Sequence, residues 1–147
     1  MSRLSRLALG LSGLLLSASV AGVFVASRAV ASKAAPSRVF EMRTYVTLPG
    51  RLDALNARFR DHTTALFQKH GMENIGYWVP QEEKEGKSNT LVYLLAHQSR
   101  EAAKKSWAAF SADPEWNKAK EASEKDGKIV DKVISVFLDP TDYSAIK

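Results

Sequence analysis

From Val39 onward the chain alternates between two hydrophobic periods, two and about three and a half. VFEMRTYVT (Val39–Thr47) is β-branched and aromatic and reads as a strand. Its two faces differ. Phe40, Met42, Thr44 and Val46 form a mostly apolar row, whereas Glu41, Arg43 and Tyr45 set a carboxylate, a guanidinium and a phenol on the other side with Val39. Pro49-Gly50 then turns the chain into a helix whose Leu52, Leu55, Phe59, Thr63, Leu66 and Phe67 recur at steps of three and four. Gly71 stops it, with Lys69 and His70 beside the negative end of the helix dipole.

MENIGYWVP (Met72–Pro80) predicts a second strand, and the charged run Gln81–Asn89 a turn. TLVYLLAH (Thr90–His97) is apolar without a break, which predicts a central strand. Ser99 is placed to cap a second helix carrying Ala103, Trp107 and Phe110. Asp113-Pro114 restarts the chain as a third, Asp at the cap and Pro at the first helical position, with Trp116 and Ala119 inward. Asp126-Gly127 breaks that helix, and Lys128–Leu138 predicts the last strand.

The order is therefore β-α-β-β-α-α-β, a ferredoxin-like α+β arrangement with an antiparallel sheet. Helices cover one face of such a sheet. The second and third strands, taken as the inner ones, are apolar on both faces, so the uncovered face needs a second sheet, and another copy of the chain would supply it. On this reading the Phe40 face meets the helices. The Glu41, Arg43 and Tyr45 face meets the partner or the space between the sheets.

The first 31 residues change the picture of charge and compartment. They hold Arg3, Arg6 and Arg28 and no acid. The net charge of +5 over 147 residues falls to +2 without them, 18 basic against 16 acidic residues. No basic stripe with interleaved aromatics remains, which argues against nucleic-acid binding. Leu7–Ala26 is apolar apart from three serines, and Ala29-Val30-Ala31 fits signal-peptidase cleavage after Ala31. The expected destination is the periplasm. Twenty helical residues also reach about 30 Å, so an uncleaved anchor at Leu7–Ala26 is the rival, and membrane contact is expected only through this segment. A mitochondrial transit peptide fits the composition but not the unbroken apolarity. SKAAPSR, residues 32–38, reads as a linker to one domain over 39–147.

The absence of cysteine removes disulfides, thiolate catalysis and iron–sulfur ligation. No P-loop, G-x-G-x-x-G or G-x-S-x-G occurs. His62, His70 and His97 stand in no ligand spacing, and no metal or other cofactor is expected.

Taken together, Glu41-Met42-Arg43-Thr44-Tyr45 before Pro49-Gly50, then Gly76-Tyr77-Trp78, Asn89 ahead of LVYLLAHQS, and Asp113-Pro114-Glu115-Trp116 resemble the NIPSNAP family of the dimeric α+β barrel superfamily. The likeness runs from Val39 to the C-terminus. It implies two subunits whose sheets close into a barrel-like interface, without an agreed reaction. Animal members are mitochondrial and linked to vesicle traffic and organelle turnover. Distant superfamily members include cofactor-free oxygenases and haem-degrading enzymes.

Two functions follow from different classes. One is an exported or tethered homodimer that binds a small molecule or a partner, with Glu41, Arg43, Tyr45, Tyr77 and Trp78 as ligand-binding or interface residues. Glu41 and Arg43 then serve either as a buried ion pair fixing register or as the floor of a pocket for an anion or carbonyl. The other is a cofactor-independent oxygenase or isomerase. There His62 would act as base, and Tyr45 or Tyr77 with Arg43 would hold an enolate in a cavity between helices and sheet.

Overall fold

The computed structural model describes residues 38–147. The leader and its cleavage site lie outside the described residues, as does all but the last residue of the linker. No helix among the described residues is long and apolar enough to cross a membrane.

The elements follow the predicted order. β1 (Val39–Thr47) leads into one helical rod made of α1 (Leu52–Arg58), a π-helical turn (Phe59–Thr63) and α2 (Thr64–Lys69). β2 (Glu73–Trp78), β3 (Thr90–His97), α3 (Arg100–Ala112), α4 (Pro114–Ser123) and β4 (Val130–Leu138) follow. The sheet is antiparallel, in the order β2-β3-β1-β4. β3 is central, as its apolar run predicts. β2, expected as an inner strand, is an edge.

The caps are where their residue types place them. Gly71 adopts φ 75°, and the bonds from Met72 N–H to Phe67 O (2.9 Å) and Gly71 N–H to Gln68 O (3.0 Å) close a Schellman motif after α2. Ser99 Oγ accepts from Ala102 N–H at 3.0 Å and starts α3. Asp113 Oδ1 accepts from Glu115 N–H at 2.8 Å and starts α4. The same carboxylate reaches back to α2, with His70 Nε2 at 2.7 Å and Lys69 Nζ at 3.0 Å from Oδ2. His70 and Lys69, expected merely to suit the helix dipole, thus pin α2 to the next helix start, and their hydrogen bonds hold the Asp113 carboxyl well below the usual carboxylate range.

The core lies between the helices and one face of the sheet. Leu52, Leu55, Phe59, Leu66 and Phe67 of the first rod are buried there with Leu91, Tyr93, Leu95, Phe110 and Ile129. The rod's stripe survives the π turn, whose looser winding carries Phe59 and Thr63 both inward.

The sheet is turned over relative to the expectation. Glu41, Arg43 and Tyr45 face the helices. Tyr45 packs edge-on against Phe59 of the helical rod at 5.8 Å, and Glu41 bonds to Trp107 of α3. The opposite row is open: Met42 is 37% exposed, and its neighbours across the ladder on β4, Ile134, Val136 and Leu138, are exposed as well. Phe40 is the buried exception, beside Leu138, Pro140 and Ile146 of the C-terminal segment around a cavity of about 270 Å³. Trp78, 54% exposed, lies on this open face over Gly76, and Tyr77 points the other way into the core. Both faces of β1 carry apolar side chains, so apolarity alone does not decide which one the helices take. The donors that satisfy Glu41 do.

Candidate functional site

Glu41 is the centre of a polar cluster on the helix side of β1. It is 1% exposed and receives four hydrogen bonds. Oε1 accepts from Arg43 Nη1 at 2.8 Å and from Ser135 Oγ at 2.7 Å. Oε2 accepts from Trp107 Nε1 at 2.7 Å and from His97 Nε2 at 3.1 Å. The sheet register creates this meeting. Ser135 is the partner of Arg43 on β4, and His97 is the partner of Val39 on β3, so each lies diagonal to Glu41 on the same face. Burial pushes the Glu41 carboxyl up, but the bonds from His97, Ser135 and Trp107 and the charge of Arg43 prevail and bring it down to about 2.

With both oxygens saturated and its charge held, Glu41 is an anchor and not a proton shuttle. A serine–histidine–carboxylate relay is also excluded, because Ser135 and His97 both bond the carboxylate, whereas such a relay needs the imidazole against the hydroxyl. His97 is fully buried, and its Nδ1 has no hydrogen-bond partner among the described residues.

Arg43 extends from this anchor to a groove between α3 and the β1–β4 edge. Its guanidinium lies 4.1 Å from the centre of the Trp107 ring and 5.6 Å from that of Tyr45. Burial disfavours its charge, but Tyr93, Tyr45 and Glu41 outweigh this and raise its pKa. The groove encloses about 590 Å³. Arg100 and Lys104, one turn apart on α3, stand along it with Glu101, making three cations with Arg43 against the two carboxylates Glu41 and Glu101. Arg100 stacks on Phe137 at 3.3 Å.

The other candidates lie elsewhere. Tyr45 and Tyr77 are packed in the core, where Tyr77 stacks on Tyr93 at 5.4 Å and its hydroxyl donates to Asn74. Burial pushes the Tyr77 phenol up. Tyr77 also borders a cavity of about 230 Å³ with Asn56, Arg60 and Thr64. His62 is on the outer surface of the π turn, lining a groove of about 400 Å³ with Asp61, Glu115 and Lys118. It does not meet Arg43, Tyr45 or Tyr77 around one cavity, so the arrangement of a histidine base with a tyrosine–arginine enolate clamp is not assembled. No cluster of three metal-ligating acids or histidines occurs among the described residues.

Sequence reasoning missed Ser135, His97, Arg100 and Lys104 as members of the site and assigned Trp107 to packing alone. The alternation of β4 puts Ser135 level with Arg43 only once the strands are in register. His97 carried a sequence signal, as a histidine ending an otherwise apolar central strand.

The fold, helices on one face of a four-stranded antiparallel sheet, is of the ferredoxin-like, dimeric α+β barrel class. Residues 40–145 match the NIPSNAP model, and the chain belongs to the NIPSNAP family. Similar solved structures agree in fold. A NIPSNAP family protein of unknown function from Agrobacterium tumefaciens is 21% identical, with a TM-score of 0.65, over 76% of this chain and 96% of that one. An uncharacterised NIPSNAP-like domain protein from Burkholderia xenovorans is 20% identical, with a TM-score of 0.63, over 74% and 90%. A monooxygenase from Streptomyces coelicolor, solved with nanaomycin D, is 13% identical, with a TM-score of 0.53, over 76% and 95%. No functionally curated protein is similar enough in sequence to match.

Proposed function

We infer that the protein is an exported homodimer, paired through the open face of its sheet, that binds a small anionic ligand in the groove beside α3. The observation carrying this reading is Arg43. A saturated carboxylate beneath it and an indole beside it hold its guanidinium, which opens onto a cavity that also bears Arg100 and Lys104. A volume of about 590 Å³ lies within the span of small-molecule sites, about 300–1,000 Å³. Lysine and arginine stems with the Phe137 and Trp107 rings offer apolar walls, and the guanidinium forks suit a carboxylate.

Pairing is supported by the open sheet face. Met42, Trp78, Ile134, Val136 and Leu138 are exposed together, an apolar extent that monomeric domains rarely leave to water. Export, with cleavage after Ala31 or anchoring by Leu7–Ala26, rests on the leader sequence alone.

Benzoate is a suitable probe for the groove. Titrated into the protein and followed by proton–nitrogen NMR, it is expected to move the Trp107 indole N–H. The double variant Arg100→Gln, Lys104→Gln should weaken that response at least tenfold. Equal binding by the variant would overturn the groove as an anion site. Light scattering should report twice the mass of one chain, and Ile134→Asp should halve it. A wild-type monomer in solution would dispose of the pairing.

A further inference from the structure

The hydrogens around Glu41 have only one consistent arrangement, and it constrains what the groove can hold. A carboxylate accepts and does not donate. Ser135 therefore directs its single hydroxyl hydrogen at Glu41 Oε1, 2.7 Å away. Trp107 has one N–H, and it is committed to Oε2. Arg43 gives one Nη1–H to Oε1, its Nε is buried without a partner, and its remaining Nη hydrogens have no partner among the described residues and are the donors it can turn to the cavity. Toward the cavity, then, Ser135 offers lone pairs and no donor, while Arg43 offers donors and no acceptor.

These two groups are direct partners across the β1–β4 ladder on one face, and both bond Glu41 Oε1, Arg43 Nη1 at 2.8 Å and Ser135 Oγ at 2.7 Å, which keeps the two polar atoms within about 5 Å of each other. A ligand lying across them meets a cation at one end and a bare hydroxyl acceptor at the other. An anion alone satisfies the first and leaves the second to water. An ether or carbonyl oxygen opposite Ser135 would set lone pair against lone pair.

Resting on the reading of the groove as an anion site, we propose that it selects acids carrying an O–H or N–H donor about 5 Å from the carboxylate, so that Arg43 takes the anion and Ser135 accepts the donor. Hydroxy-aromatic acids are the ligand class that fits, since Phe137 and Trp107 flank the same space. The preference is a matter of unpaired groups. A polar site rejects the analogue lacking its partner more strongly than an apolar site rejects a change of shape.

The test compares benzoate, meta-hydroxybenzoate and meta-methoxybenzoate against the whole chain, with the Trp107 indole N–H as reporter. One neutral hydrogen bond is worth about fivefold in affinity. Meta-hydroxybenzoate should therefore bind about fivefold more tightly than benzoate, and meta-methoxybenzoate more weakly than either. Ser135→Ala should bring the three within about twofold of one another, and Ser135→Thr, which restores the hydroxyl on an exposed edge strand, should restore the order. Equal binding of the three acids to the unaltered protein, or an order that survives Ser135→Ala, overturns the preference while leaving the anion site standing. If none of the three moves the indole resonance, the anion site falls and the preference with it.

Discussion

Replacing Glu41 by glutamine keeps the shape of the side chain and removes its charge, so its effect should depend on pH in a defined way. In the folded protein the carboxyl sits at about 2, against an ordinary 4.5. A carboxyl whose folded pKa is depressed contributes stability above its unfolded value and loses it as pH falls toward the folded one. The difference corresponds to about 3 kcal/mol at neutral pH, of which about 2 kcal/mol is gone by pH 3. The structure gives a similar size by another route. The amide nitrogen of glutamine must sit at one of two oxygen positions, each already facing two donors. Ser135 can turn to accept from it, but Arg43 cannot, so at least one charge-assisted bond worth about 1.5–3 kcal/mol is lost.

Urea unfolding of wild type and Glu41→Gln at pH 7, 5, 4 and 3 measures this directly. Their difference should be about 3 kcal/mol at pH 7, a shift of roughly 4 °C per kcal/mol in melting temperature for a domain this size, and should narrow below pH 4.5. Asp113, also held low, is common to both proteins and cancels. A difference that stays constant from pH 7 to pH 3 would refute the assignment of Glu41 as the buried, charged acceptor.

Other consequences are separate. Arg43→Met should cost about 1.5–3 kcal/mol in urea melts, and adding Glu41→Leu should not rescue it, because Trp107 Nε1 and His97 Nε2 then lose their acceptor; recovery to wild-type stability would mean that the two residues form a simple pair. Ser99→Ala removes the α3 cap and should cost about 1 kcal/mol, whereas Ser99→Asp should cost little. Asp113→Asn keeps the acceptor for Glu115 N–H but loses the charge that His70 and Lys69 meet, so it should be milder than Asp113→Ala and should converge with wild type in acid; a penalty that grows as pH falls would contradict the pairing. Chain recovered from the cell envelope should begin at Ser32 by intact mass, and a membrane-bound species retaining Met1–Ala31 would instead establish the anchor.

Much of the fold is local chemistry and was legible in the chain. Ser99, Asp113-Pro114 and Gly71 mark helix ends because each satisfies backbone groups within a few residues of itself. The Leu52–Phe67 stripe and the unbroken Thr90–His97 run identify the buried helix face and the central strand because periodicity reports burial. The motifs around Glu41-Met42-Arg43-Thr44-Tyr45 and Asp113-Pro114-Glu115-Trp116 point to the family, and the match over residues 40–145 agrees.

What only the tertiary structure decided is which side of β1 faces in. Alternation sorts Phe40 and Met42 from Glu41 and Arg43, but it assigns neither row a destination when one cover is a set of helices and the other face is apolar too. The polar row went inward because three residues far along the chain, His97, Trp107 and Ser135, bring donors to Glu41 from β3, α3 and β4, separated from it by 56, 66 and 94 positions. No window of sequence contains that set. A buried carboxylate is tolerated only where enough donors converge on it, and convergence is a property of the packed strands and helix, not of the order of residues that form them.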